Sequence, residues 1–194
     1  MTLPVLQVIV GSTRPGRVGL PIAQWFLGLA AECGEFEVEL LDLAEFNLPL
    51  YDEPGHPIQQ QYTHEHTIRW SATISRGDAV VFVVPEYNHS FNAATKNAID
   101  FLYHEWRHKA AGIVSYGGAA MGTRAAQALK PVLAAVKLVH AGDVTIPLVS
   151  VPVKDGVFAG NEILRTSALA LLEELAIITP ALSERRQRPR VAAS

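Results

Sequence analysis

Residues 5–30 read VLQVIVGSTRPGRVGLPIAQWFLGLA and change character twice along their length. The first six residues are almost all apolar, as in a buried strand, and a loop of small, polar and basic residues follows at 11–19. From Ile22 onward, apolar residues recur at helical spacing with polar residues opposite them. A strand that leads through such a loop into a helix indicates an anion-binding loop, because free backbone amides and the helix dipole face the loop.

The length and composition indicate one soluble domain. The chain has 194 residues, of which 49% are hydrophobic, enough for a substantial core. We predict a single domain over residues 1–182 and a polar, basic tail over 183–194. Because only one cysteine, Cys33, is present, an internal disulfide framework and a multi-cysteine metal site are excluded.

The net charge and the hydropathy pattern argue against nucleic acid and membrane as partners. A formal net charge of -3 argues against nucleic-acid binding, which usually requires a basic face. No apolar run approaches the roughly 20 residues of a membrane helix. The first residues lack the basic region of a secretory signal. We therefore expect a cytoplasmic protein that contacts neither nucleic acid nor membrane.

Five apolar runs of strand length alternate with helical patterns, at residues 5–10, 36–43, 78–85, 110–116 and 143–151. The third and fourth runs carry almost no charge, as strands covered on both faces do, whereas the second alternates like an edge strand. This order predicts an α/β three-layer sandwich, a five-stranded parallel sheet with helices on both faces. Pro131 predicts a kink or an early break in the fourth helical segment.

The first loop does not fit the common nucleotide motifs. Gly11 and Gly16 have the spacing of the NTPase phosphate loop, but Arg17 and Val18 replace its lysine and its magnesium-binding hydroxyl. Arg14 occupies the position of the second glycine of the dinucleotide fingerprint. The hydroxyls and the guanidinium of the loop instead suit a terminal phosphomonoester. An ordinary strand-to-helix turn with exposed arginines is the alternative.

Two further loops follow apolar strands, EYNHSFN at 86–92 and SYGGAAMG at 115–122. In an open parallel sheet, all three loops lie at the carboxyl ends of the strands, where ligands bind at the point of reversal in strand order. The segments GSTRPGR, PEYNHSFNAATKNAIDFL and SYGGAAMGTRAA resemble, in order, the three signature segments of the NADPH-dependent FMN reductase family. The resemblance spans residues 5 to 140 and implies the flavodoxin-like fold.

The resemblance also implies a cofactor site. The FMN phosphate site falls on Ser12, Arg14, Val18 and Gly19, with Arg17 as the least secure member. Some relatives have asparagine at the position of Gly19, and a side-chain contact from this position is therefore absent here. The ring site falls on Pro85, Glu86, Tyr87, Asn88, Ser115, Tyr116, Gly117 and Gly118. Backbone amides after Pro85 are predicted to bond the polar edge of the ring, and the two glycines to let the chain approach it.

The implied activity is an NAD(P)H-dependent reductase, with NADPH or NADH as donor and FMN as resident flavin. The family reduces quinone-like, azo, metal-ion or flavin acceptors, and one shared pocket predicts a ping-pong mechanism. The flavin carries the chemistry, so no catalytic side chain is assigned. His56, His64 and His66 show no ligand spacing, so no metal site is assigned.

The family assembles through the region after the second loop. The resemblance therefore implies a homodimer or homotetramer with Tyr103 and Trp106 near the contact. Two alternative functions remain open: a flavodoxin-like electron carrier that never oxidises a nicotinamide, and a flavin-holding regulatory or interaction protein. The small charge and the small-residue loop at 115–122 favour the enzyme, because carriers are generally strongly acidic and cover the flavin with aromatic side chains.

Overall fold

The computed structural model describes residues 2–187 and contains one five-stranded sheet. The strands are β1 (Val5–Val10), β2 (Glu37–Asp42), β3 (Ala79–Pro85), β4 (Ala110–Gly117) and β5 (Val139–Pro147). The helices are α1 (Gly19–Cys33), α2 (Leu43–Phe46), α3 (Glu65–Arg76), α4 (Ala93–Asp100), α5 (Thr123–Ala135) and α6 (Glu162–Gln187). A single 3₁₀ turn, Pro57–Gln59, interrupts the otherwise irregular loop after α2.

All neighbouring strands pair in parallel, in the order β2-β1-β3-β4-β5. This is the flavodoxin-like strand order, and it reverses direction between β1 and β3. The predicted five-stranded parallel sheet is therefore confirmed, and β2 lies at an edge as its alternating pattern indicated. Every residue of β3 is buried, as expected of a central strand covered on both faces.

Two apolar cores, one on each face of the sheet, account for the three layers. Helices α1 and α6 cover one face with the predicted stripes, including Phe26 and Leu172, both fully buried. Helices α3, α4 and α5 cover the other face, where Trp70 and Leu129 are fully buried. Apolar side chains recur on one side of each helix because burying that stripe removes it from water.

The fifth strand differs from the prediction, which placed it at 143–151. It begins at Val139, pairs with Ala110 of β4, and ends at Pro147. The prediction missed residues 139–142 because an edge strand exposes positions that a central strand buries, so this part of β5 contains the polar His140 and no continuous apolar run. The apolar residues after Pro147 instead form a turn, in which Ser150 and Val151 donate to the Pro147 carbonyl. Pro131 lies inside α5, which continues to Ala135, so the early break does not occur.

The last helix extends beyond the predicted domain boundary at residue 182. Helix α6 continues to Gln187, and Arg186 donates hydrogen bonds to the carbonyls of Asp78 at 3.2 Å and His108 at 2.9 Å. Its guanidinium also pairs with the Asp78 carboxylate at 2.5 Å. Arg186 thus attaches the end of α6 to the segments that precede β3 and β4, and the rest of the predicted tail, 188–194, lies outside the described residues.

Helix α6 departs from the expectation that no segment is long and apolar enough for a membrane helix. By length and composition alone, Glu162–Arg186 is apolar enough to cross a membrane. Its buried residues, however, pack against β4, β5 and α1, as those of a core helix do. Length and composition therefore say little here about a membrane.

Candidate flavin site

The three loops that the sequence singled out meet at the carboxyl edge of the sheet. They enclose a cleft of about 190 Å³ next to the point where the strand order reverses, between β1 and β3. Ten of the thirteen predicted site residues line it: Ser12, Arg14, Arg17, Val18, Pro85, Glu86, Tyr87, Tyr116, Gly117 and Gly118. Leu148, which the sequence did not indicate, completes the lining from the turn after β5. Gly19, Asn88 and Ser115 do not line the cleft.

The first loop is held in place by helix α4. The Asn92 side-chain amide donates to the Gly11 carbonyl at 2.7 Å, and the Thr95 hydroxyl donates to Asn92 Oδ1 at 2.8 Å. A Cβ added at Gly11 would lie 2.2 Å from the Thr95 hydroxyl, so only glycine fits. Sequence reasoning missed Asn92 and Thr95, although their position at the start of α4 was a signal for such a bond.

The start of α1 presents free donors to this loop. No side chain in the described range, residues 2–187, caps the helix, and the first backbone bond into it is that from Ile22 to the Val18 carbonyl. The amides before Ile22 therefore lack intrahelical acceptors. Arg14 is exposed, and in residues 2–187 no carboxylate lies within ion-pair distance of it. These donors suit a phosphate dianion.

Arg17 lines the cleft but also contacts the edge strand. Its guanidinium forms an ion pair with Asp42 at the end of β2, and Asp42 also accepts from the Ala44 amide at 3.0 Å. The Arg17 Nε is buried and has no hydrogen-bond partner among the described residues. Arg17 therefore ties the loop to the edge strand, and only part of its guanidinium remains for an anion.

The second loop forms a tight turn. The amides of Tyr87 and Ser90 exchange hydrogen bonds with each other's carbonyls at 2.8 Å and 3.0 Å, and Asn88 and His89 have φ values of 49° and 68° between them. Asn88 is exposed and serves as a turn residue of the left-handed type. Tyr87 is 40% exposed and reaches into the cleft, where its hydroxyl lies 3.4 Å from the Ser12 hydroxyl.

Of the three predicted amide donors after Pro85, those of Glu86 and Tyr87 are already used, whereas that of Asn88 has no backbone acceptor within residues 2–187. The Glu86 amide donates to the Tyr116 carbonyl at 2.8 Å, and the Tyr87 amide donates to Ser90. The Glu86 carboxylate accepts from the Arg124 guanidinium at 3.0 Å and from the Arg124 amide at 3.1 Å, which braces the loop against α5. Donors to a ligand must come from other amides, and that of Gly118 has no acceptor within the described part of the chain.

The glycines of the third loop have distinct functions. A Cβ at Gly117 would lie 3.0 Å from the Gly122 amide nitrogen, so Gly117 is glycine for packing. A Cβ at Gly118 would meet nothing within 4 Å, so its open space faces the cleft. Ser115 is fully buried in β4, and its hydroxyl has no partner in residues 2–187. The structure therefore places Ser115 behind the cleft wall.

Two other features lie outside this cleft. Trp106, predicted near the subunit contact, is fully buried and donates from its indole to the Ile99 carbonyl at 3.1 Å, so its side chain offers no surface of its own to a partner. The amphipathic indole satisfied its one donor inside the core. A larger cavity of about 450 Å³ lies beyond Thr13, but it is lined by no charged side chain and by none of the predicted site residues.

The histidines of the Pro-rich loop pair locally. His64 and His66 stack with their ring centroids 5.2 Å apart, and His66 Nε2 lies 2.9 Å from an Asp52 carboxylate oxygen. Within residues 2–187, no group of three or more histidine, cysteine, aspartate or glutamate side chains is arranged to hold a metal ion.

The strand order and the position of the cleft define the class of this protein, a flavodoxin-like α/β protein with its ligand cleft at the topological switch point. Residues 5–151 match the family model described as NADPH-dependent FMN reductase. The chain belongs to this family, whose members are oxidoreductases that use NAD(P)H and carry FMN.

Individual relatives agree with this assignment. The chain is 42% identical over 151 residues to an NAD(P)H-dependent FMN reductase of Schizosaccharomyces pombe, covering 77% of this chain and 74% of that protein. It is 34% identical over 178 residues to a Saccharomyces cerevisiae NAD(P)H-dependent FMN reductase, covering 85% and 93%. A Pseudomonas putida quinone reductase is 32% identical over 120 residues, covering 59% and 61%.

A solved structure shares the fold. FerB, a flavoenzyme NAD(P)H:(acceptor) oxidoreductase of Paracoccus denitrificans, superposes with a TM-score of 0.70 at 22% identity, covering 91% of this chain and 99% of that one.

The residues of the cleft fit FMN chemically. An uncapped helix start, the Ser12 hydroxyl and the free Arg14 guanidinium supply donors for a phosphomonoester at one end. At the other end, Gly118 leaves room for a planar ring, while the Tyr87 side chain lines the cleft and directs its hydroxyl toward Ser12. The loop still lacks the second glycine that a bound pyrophosphate needs, so the site suits a mononucleotide better than a dinucleotide.

Replacing Arg14 with alanine is expected to weaken FMN binding by about 1.5–3 kcal/mol, the usual value of a hydrogen bond to a charged group. Titration of the apoprotein by quenching of flavin fluorescence measures the affinity. Arg165→Ala is the matched control, because Arg165 is an exposed arginine that pairs with Glu32 at 3.1 Å, on α6 rather than in the cleft. Equal affinity in the parent and in the Arg14 variant would place Arg14 outside the site.

Proposed function

We propose that this protein is a cytoplasmic FMN-containing reductase that takes electrons from NADPH or NADH and delivers them to a small quinone-like acceptor by a ping-pong mechanism. The observation that carries the proposal is the single cleft that the phosphate loop and both ring loops form at the switch point. The quinone reductase of Pseudomonas putida supports this choice among the quinone-like, azo, metal-ion and flavin acceptors.

FMN, held by the residues of this cleft, would supply the redox chemistry between the nicotinamide and the acceptor. The side chains of the protein bind and orient. Arg14 and Ser12 hold the phosphate end, while Tyr87 and the backbone at Gly118 limit where a ring can lie. No side chain is assigned as nucleophile or general base.

One exposed cleft favours alternate occupancy by donor and acceptor. The third loop carries only small residues next to Gly118, and Tyr87 leaves 40% of its surface in solvent. Neither the small residues of the third loop nor Tyr87 covers the cleft as the aromatic side chains of an electron carrier would. A nicotinamide and a quinone can therefore reach the same ring face in turn, which requires the donor product to leave first.

Steady-state kinetics tests the proposal. The protein is expected to purify yellow, to release FMN on denaturation, and to oxidise NADPH or NADH in the presence of a quinone. Double-reciprocal plots at several fixed quinone concentrations are expected to be parallel, the signature of a ping-pong mechanism. FAD as the released flavin would contradict the reading of the first loop. Intersecting lines would contradict the single shared pocket, and bound FMN without nicotinamide oxidation would indicate an electron carrier.

The proposal includes a homodimer or homotetramer that uses the surface around Tyr103. Tyr103 is partly exposed, and its neighbour His104 lies with Nε2 2.8 Å from the Ile58 carbonyl, which joins this surface to the 47–61 loop. That loop carries large exposed apolar side chains, Leu50 at 83% and Ile58 at 50%. Light scattering at micromolar concentration is expected to give at least twice the chain mass of 21.1 kDa. A monomer would contradict this assembly.

A further inference from the structure

The hydroxyl of Tyr116 lies under the phosphate loop rather than at the ring end of the cleft. Tyr116 belongs to β4 and is 4% exposed, yet it lines the cleft. A Cβ built on Gly19 would lie 2.6 Å from Tyr116 Oη and 3.6 Å from the Ser12 Cβ. The phenol thus crosses from the third loop segment to the start of α1, and it fills the space of a side chain at position 19.

This phenol is a proton donor at neutral pH. Burial raises the pKa of Tyr116, while the Ser12 hydroxyl and the positive charges of Arg14 and Arg17 act in the opposite direction. The group therefore keeps its proton and can donate an O–H hydrogen bond. Its neighbours Ser12 and Arg14 line the same cleft and are donors too, and in the part of the chain from residue 2 to residue 187 no carboxylate pairs with Arg14.

We propose that Tyr116 Oη binds the terminal phosphate of FMN, and that residue 19 is glycine because the phenol occupies its side-chain space. The resemblance to the family implied a position for Tyr116 beside the ring, so this assignment moves its hydroxyl to the opposite end of the cofactor. The inference rests on the proposed function in that FMN must be the ligand of the cleft. Tyr116 is then a cofactor-binding residue that links the strand β4 to the phosphate loop.

The first consequence is a difference between two flavins. Titration of apoprotein with FMN and with riboflavin, which lacks the phosphate, separates a phosphate contact from a ring contact. In Tyr116→Phe, FMN affinity is expected to fall about tenfold or more, as for a lost hydrogen bond to a charged group, while riboflavin affinity stays within about twofold. Tyr51→Phe is the control, because Tyr51 loses a comparable hydroxyl that donates to the Gly55 carbonyl in an exposed loop.

The second consequence is a coupling in stability between two positions distant in sequence. Gly19→Ala brings a methyl group against Tyr116 Oη in the parent, so the urea midpoint of unfolding is expected to fall. In the Tyr116→Phe background, the nearest remaining ring atom is the one 3.4 Å away, an ordinary contact, and the same substitution is expected to cost much less. This cycle measures the space that the hydroxyl fills and needs no flavin.

The two experiments together decide the inference. A selective loss for FMN and a reduced cost of Gly19→Ala in the phenylalanine background support it. Equal losses of FMN and riboflavin, or unchanged FMN affinity, would overturn the phosphate contact. An equal cost of Gly19→Ala in both backgrounds would overturn the shared space. If the parent apoprotein binds no FMN, the proposed function fails together with the phosphate contact, whereas a parent that binds FMN and an unaffected variant would overturn the inference alone.

Discussion

Replacing Gly118 with leucine is expected to leave the fold intact and to remove most of the flavin affinity. A Cβ at this position meets no protein atom within 4 Å, and the backbone does not adopt the left-handed conformation that favours glycine. The fold therefore tolerates a side chain here. The same side chain would occupy the part of the cleft where the ring is proposed to lie.

The expected loss is about 1–3 kcal/mol or more, the cost of forcing extra methylene groups into a packed space, so affinity for FMN falls roughly tenfold to a hundredfold. Riboflavin affinity is expected to fall equally, because the ring and not the phosphate is displaced. Gly28→Leu is the control, since Gly28 also faces open space but lies on the exposed side of α1. Full flavin affinity in the Gly118 variant would place the ring elsewhere.

Replacing Gly122 with alanine is expected to destabilise the protein severely. Gly122 has φ of +83°, and a Cβ there would lie 2.5 Å from the Tyr116 amide nitrogen and 2.7 Å from the Ser115 carbonyl carbon. Both atoms belong to the backbone of β4, which is paired on both sides by β3 and β5. The overlap cannot be relieved by rotating a side chain, so either the strand or the start of α5 must move.

We expect a loss of about 3–5 kcal/mol in the free energy of unfolding, combining the left-handed strain with the steric overlap. Gly34→Ala isolates the first contribution, because Gly34 has φ of +73° but nothing within 4 Å of its added Cβ. That control is expected to lose only about 1–2 kcal/mol. Urea unfolding of both apoproteins measures the difference, and equal losses would show that the close approach to β4 is relieved cheaply.

The sequence predicted the layers and the location of the cleft. The apolar runs gave four of the five strands close to their observed bounds, and the stripe that includes Phe26 and Leu29 became the buried face of α1. Ten of the thirteen predicted residues line one cleft, because parallel strands bring all their following loops to the same edge. Three loop motifs that are separate in sequence therefore predict one common site.

Individual side-chain roles were harder to predict. Arg17 pairs with Asp42 of the neighbouring strand, and Trp106 turns into the core to satisfy its indole at Ile99. The amides of Glu86 and Tyr87 are consumed by local bonds. Each of these contacts depends on which acceptor lies nearest in the folded structure. The sequence contains many possible acceptors and does not show which of them is nearest.

By itself, the sequence determined an alternating α/β order with a parallel sheet and a first loop suited to a phosphomonoester, because hydrophobic period and loop chemistry are local properties of the chain. The flavodoxin-like fold was implied by the resemblance of the three loop segments to the FMN reductase family. Only the tertiary structure decided that β5 starts at Val139, and that Tyr116 fills the space beside Gly19. Both depend on the order and register of strands that are distant in sequence. The register of the strands determines which side chains lie close together. The resulting distances determine whether a hydroxyl or a guanidinium contacts a ligand or another residue, and where only glycine fits.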